Sequence, residues 1–215
     1  MRKLLIVLLL LGVSAPAACA RSRAPVKSLL IEDFETEVSG GAEGSVDFGA
    51  GNGSAVEVAA EPDLLHSGKQ SLKVSFAVVP GGYMYVAKGG GLAAKNARWE
   101  VDPRSISWDK YASISFYMYG SNSKTRIAFD IKDNGNELWR FLIDDNFKGW
   151  KKMICPFKDF FVRGDWQPQN ADANAMLDFP VQSFQFEPLP KAKGILYFDT
   201  VELNPFTGAL WEDKE

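Results

Sequence analysis

The chain is poor in the side chains that do most protein chemistry. Among 215 residues it has one histidine, His66, and two cysteines, Cys19 and Cys155. That supply excludes a His/Cys zinc site. It contains no G-x-S-x-G elbow, no phosphate-binding glycine loop and no E-x-D-x-x-E run. Net charge is only −3, which gives no electrostatic footprint for nucleic acid. No sustained period of 3.6 marks a helix. Beyond the first residues, no run is long and apolar enough to span a bilayer.

What is present begins with a leader. Met1-Arg2-Lys3 precedes an almost wholly apolar run, residues 4–13, which is too short for a stable transmembrane helix. Small residues follow through Ala20. This order defines an export signal over residues 1–20. Two processing routes stay open. Ala18-x-Ala20 suits cleavage after Ala20. Cys19 instead offers a lipid anchor of the lipoprotein type, although Pro16 stands where that signal usually has leucine. The protein is therefore expected to be exported: periplasmic, outer-membrane-anchored or extracellular.

Cleavage after Ala20 removes Arg2 and Lys3 and leaves 22 basic against 27 acidic side chains, a mild acidity. It also leaves Cys155 without an intramolecular partner, so packing has to hold the domain. Cys155 stands between Met153 and Phe157 and reads as a small core residue rather than a nucleophile.

The rest is punctuated like a β protein. Residues 21–28 form a basic connector. Strands are expected at 29–34, 55–59, 71–78 and 83–86, and again at 181–187 and 195–203. Residues 39–54 are glycine-rich and read as a loop holding a ragged strand. Residues 160–178 are polar and read as a long loop or one helical turn. Short strands at regular spacing, without repeat or composition shift, predict one all-β domain over residues 29–204. Its expected form is an antiparallel two-sheet β-sandwich of the jelly-roll kind, with residues 205–215 as a tail.

Residues 113–160 carry the clearest pattern, four consecutive strands. Side chains alternate faces along a strand. Ile114, Phe116, Met118, Ile127, Phe129 and Ile131 make one apolar set. Tyr117, Tyr119, Arg126, Asp130, Arg140 and Asp144 make the opposite set, expected side by side on one open face. Trp108, Trp139 and Trp150 read as structural, Trp166 as exposed, and His66 as a solvated residue beside a turn. Asp144 and Asp145 are adjacent, point to opposite faces and make a poor pair for glycosidic acid–base work.

Five pieces then occur in a familiar order: Glu32-Asp33-Phe34-Glu35, residues 67–74 (SGKQSLKV), residues 114–120 (ISFYMYG), residues 150–160 (WKKMICPFKDF) and residues 197–203 (YFDTVEL). In this the chain resembles the jelly-roll, galactose-binding-domain-like carbohydrate-binding modules of family eleven, which bind β-glucans. It is also similar to the domain of complex I intermediate-associated proteins. The resemblance implies a concave sheet face where tyrosines stack on sugar rings and charged side chains bond hydroxyls. By strand position, Tyr117, Tyr119, Arg126, Asp130 and Arg140 would fill those roles, with Tyr83 and Tyr85 extending the platform. Related modules hold a structural calcium where the first and last strands meet, which would fall to Glu35 and Asp199.

The reading is thus a non-catalytic, exported, monomeric binder of a β-linked polysaccharide or oligosaccharide. Two alternatives stand beside it: a cell-envelope assembly module that binds protein, and a glycan hydrolase or lyase with an unrecognised site.

Overall fold

In the computed structural model, which describes residues 25–206, twelve strands form two six-stranded sheets. The first sheet runs β3 (Ala55–Glu61), β4 (Ser71–Val78), β12 (Ala192–Pro205), β6 (Tyr111–Ser121) and β9 (Lys148–Pro156). Its sixth strand, β1 (Leu29–Glu32), pairs with the far end of β12. The second sheet runs β10 (Phe161–Val162), β8 (Leu138–Asp144), β7 (Arg126–Lys132), β11 (Ser183–Pro188), β5 (Tyr83–Gly89) and β2 (Asp47–Gly51). Every pairing is antiparallel. This is the expected sandwich. Residues 1–24 and 207–215, with the leader, Cys19 and Trp211, lie outside the described residues. No helix among the described residues is long and apolar enough to cross a membrane.

The apolar set behaves as its alternation predicts. Ile114, Phe116 and Met118 point inward from β6, and Ile127, Phe129 and Ile131 point inward from β7, all without solvent exposure. They meet across the sandwich: the Phe116 and Phe129 rings are 4.6 Å apart. Phe186 of β11 stacks on Phe198 of β12 at 3.7 Å, with planes 7° from parallel. Each such ring contributes about 2–3 kcal/mol by leaving water. Trp139 and Ile143 enter the same core from β8, and Cys155 is buried in it.

The polar set is where expectation and structure part. β6 pairs with β12 and β9, whereas β7 pairs with β8 and β11. The chain changes sheets between Ser121 and Arg126. Two sheets that share one core have outer faces on opposite sides of the molecule. Tyr117 and Tyr119 therefore face outward from the first sheet, while Arg126, Asp130, Arg140 and Asp144 face outward from the second. The expectation of one shared face is corrected on this point.

Asp145 secures the change of sheet. It is fully buried and follows β8 directly. Its carboxylate accepts from the backbone N–H groups of Ser121 (3.1 Å), Asn122 (3.1 Å) and Ser123 (2.9 Å). It also accepts from the hydroxyls of Ser121 (3.0 Å) and Ser123 (2.6 Å). Burial alone would raise its pKa, but these donors win and hold it below the usual value.

Candidate functional site

The outer face of the second sheet carries a cleft of about 670 Å³, within the size range of small-ligand sites. Tyr83, Tyr85, Gln185, Glu187 and Lys132 rise into it from β5, β11 and β7, and Asp47 from β2. Arg163, Asp165 and Trp166 close one wall from the segment after β10. Alternation explains the sheet residues. Tyr83 and Tyr85 flank the buried Met84, and Gln185 and Glu187 flank the buried Phe186.

Two rings stand open to solvent. Tyr83 is 48% exposed and Trp166 is 57% exposed. The Arg163 guanidinium lies 5.8 Å from the Trp166 ring centroid, a cation–π contact that orients the indole. Tyr85 is half-buried and its hydroxyl donates to Asp47 at 3.4 Å. Asp47 also accepts from the Ala93 backbone at 2.8 Å.

Beneath these groups lies a buried ionic floor. Arg140 holds Asp130 in a two-pronged contact at 2.8 and 2.9 Å. Arg163 donates to Asp130 at 3.1 Å and to Glu187 at 2.7 and 3.1 Å. Gln185 donates to both acids at 3.3 and 3.2 Å. Burial raises the Glu187 pKa against the pull of Arg163, and burial lowers that of Lys132. Burial would raise the Asp165 pKa, but Arg163 and Arg140 together with a backbone hydrogen bond hold it below the ordinary carboxylate value. Groups locked this way are pre-set, so a ligand meets a surface that needs little reordering.

The sequence-predicted residues are therefore dispersed. Tyr83 and Tyr85 line the cleft. Arg140 and Asp130 lie under it, and Asp130, with no exposed surface, is scaffold rather than contact. Arg126 is exposed but pairs with Asp144 at 2.7 Å near the far end of β7. Tyr117 and Tyr119 sit on the opposite side of the molecule. There His66 covers Tyr117, and Trp150 and Tyr197 pack edge-on against Tyr119 at 5.6 and 6.0 Å. Trp150 is thus on an outer face, not in the core, and His66 is exposed yet stacked.

Glu35 and Asp199 do not fit a calcium pair. The Glu35 carboxylate accepts from the backbone N–H of Lys69 at 2.8 and 3.0 Å and of Gln70 at 3.3 Å. Asp199 accepts from the backbone N–H of His66 at 2.8 Å and Ser67 at 3.0 Å. A hard cation needs converging oxygens, whereas these acids face N–H donors. Among the described residues no group of three or more His, Cys, Asp or Glu is placed to hold a metal. Their work here is to pin the turn at residues 66–70.

Sequence reasoning missed Lys132, Gln185, Glu187, Asp47, Arg163 and Trp166. The first three had a signal in the alternation of β7 and β11. Asp47 lay in the glycine-rich segment, where no clear period exists. Arg163 and Trp166 follow a strand of two residues, too short to carry a pattern.

Comparison with known proteins bears on family and fold. The family model described as "Carbohydrate binding domain (family 11)" matches residues 16–205. A family 11 carbohydrate-binding module from Clostridium thermocellum, in complex with a beta-1,3-1,4-mixed-linked tetrasaccharide, superimposes with a TM-score of 0.65 at 21% identity, covering 85% of this chain and 98% of that one. The family 11 module of the cellulosomal cellulase Lic26A-Cel5E of the same organism gives 0.64 at 20% identity, over 85% and 97% of the two chains. A family 30 module of the Clostridium thermocellum cellulase Cel9D-Cel44B gives 0.55 at 12% identity, over 84% and 98%. No curated protein matches.

Proposed function

The chain belongs to carbohydrate-binding domain family 11, a binding family rather than a catalytic one, and on that premise we propose that it docks a neutral β-linked glucan in the cleft of the second sheet. Tyr83 and Trp166 are the stacking surfaces. A pyranose has an apolar C–H face and a rim of hydroxyls, which suits an aromatic ring beside polar groups. Tyr85, Gln185, Lys132, Asp165 and Arg163 supply donors and acceptors for the rim.

One observation carries this reading: two exposed rings border a cleft whose charges nearly balance. Asp47, Asp165 and Glu187 face Lys132 and Arg163, and most are already paired with one another or with the floor. A charged ligand would disturb those pairs, and a polyol would not. The family 11 neighbour described with a mixed-linked tetrasaccharide supports a β-glucan as ligand. The ties of Asp165 and Glu187 to Arg163 also speak against acid–base catalysis by these two acids. Binding is expected in the millimolar to micromolar range, about −4 to −8 kcal/mol. The export signal expected over residues 1–20 supports action outside the cytoplasm.

The test is affinity electrophoresis of the folded protein in gels containing mixed-linkage β-glucan, xylan or mannan. Retardation by the β-glucan is expected. No retardation by any of them would remove the proposal.

A further inference from the structure

The two tyrosines of the cleft stand directly opposite two glycines. On the neighbouring strand β2, Gly49 pairs with Tyr85 and Gly51 pairs with Tyr83. A Cβ built on Gly51 would meet the Tyr83 ring at 2.5 Å and its hydroxyl at 2.7 Å. One built on Gly49 would meet the Tyr85 ring at 3.1 Å and its hydroxyl at 3.2 Å. The phenolic end of each ring thus lies over the backbone of β2.

Backbone conformation does not call for glycine at either place. Neither residue is in the left-handed region, unlike Gly53 or Gly81 nearby. Both sit in regular antiparallel pairing, where an alanine adopts the same backbone without strain. A glycine inside a strand weakens it and commonly marks a place where another group approaches closely. Here the approaching groups are the two rings.

We propose that Gly49 and Gly51 are positioning residues for ligand binding: the bare surface of β2 is a seat on which Tyr85 and Tyr83 lean, and this fixes the direction their rings present to the cleft. The inference rests on the cleft being the glucan site. The two seats differ in consequence. Tyr83 is exposed and has room to swing away from an added methyl group. Tyr85 is half-buried, tied to Asp47, and needs to yield by only a few tenths of an ångström. Gly51→Ala should therefore displace its ring more than Gly49→Ala does.

The experiment measures affinity for soluble mixed-linkage β-glucan and thermal midpoint for wild type, Gly51→Ala, Gly49→Ala, Tyr83→Ala and the double variant Gly51→Ala/Tyr83→Ala. Loss of a well-placed aromatic contact predicts a roughly fivefold to tenfold weaker affinity for Tyr83→Ala. Gly51→Ala should match it, with a midpoint no lower than wild type. The double variant should bind no worse than Tyr83→Ala alone, because an absent ring needs no seat. Wild-type affinity in Gly51→Ala, or multiplied losses in the double variant, would overturn the proposal. If the wild type binds none of the glycans, the functional reading fails instead. The seat is then decided by the nuclear Overhauser contact between the Tyr83 ring and the Gly51 α-protons. Its presence in the wild type and loss in Gly51→Ala supports the seat. Its absence in the wild type overturns it.

Discussion

The imidazole of His66 lies on the ring of Tyr117, with centroids 3.4 Å apart and planes 16° from parallel. Tyr117 is one of two tyrosines whose alternation suggests a sugar platform, yet its face is already taken. Lys152 adds a cation 5.8 Å from the centroid of the same ring. These contacts belong to the sheet opposite the cleft, where a row of aromatic side chains covers a solvent-facing surface.

That separation gives the first prediction. Tyr83→Ala and Trp166→Ala should each weaken glucan retardation in affinity gels. Tyr117→Ala and Tyr119→Ala should leave it at the wild-type value. Equal losses from both pairs would mean that the ligand does not distinguish the two faces.

Asp145 gives the second. Asp145→Asn puts an amide against a nest of N–H and hydroxyl donors, at a cost of about 3 kcal/mol in urea unfolding at pH 7. The folded-state pKa of Asp145 is depressed. Its contribution is therefore present above the unfolded value and lost as pH falls through the folded one. The gap between variant and wild type should shrink below pH ~4.

Glu100 works in the other direction. Glu100 is exposed overall, but partial desolvation of its carboxyl and a hydrogen-bonded Asp33 beside it push its pKa up to about 7, from an ordinary 4.5. The folded state then holds a proton that the unfolded state has released. Stability from this group is complete below about pH 4.5 and is lost as pH rises to about 7. Glu100→Gln should be as stable as wild type at pH 4.5 and more stable at pH 8. Urea melts at those two values and at pH 6 follow the change.

The acids that pin the 66–70 turn supply the fourth. Asp199 has no exposed surface and accepts two backbone N–H bonds. Asp199→Asn should lose about 2 kcal/mol of stability. Because those bonds need no cation, the loss should be the same in EDTA and in millimolar calcium. A loss seen only with calcium present would restore the metal role.

Much of the fold is legible in the alternation of apolar residues, since Phe116 and Phe129 enter one core whichever sheets their strands join. Sheet membership is a different matter. The short polar link between β6 and β7 reads like an ordinary hairpin. What sends β7 to the other sheet includes Asp145, some 20 residues further on, whose bonds exist only after folding. The cleft shows the same division. Tyr83 and Tyr85 are visible because they alternate with Met84 and Val86. Arg163 and Trp166 are placed by contacts with Asp130, Glu187 and one another, and no local period encodes such contacts.

β12 is the last strand in the described chain, yet it stands in the middle of the first sheet, between β4 and β6 with β1 alongside. During synthesis the earlier strands of that sheet wait with their central partner missing. The β3–β4 and β6–β9 pairs can join into one sheet only when residues 192–205 have left the ribosome. Until then the strands that will flank β12 keep unpaired edges, the kind of surface that invites association with other chains.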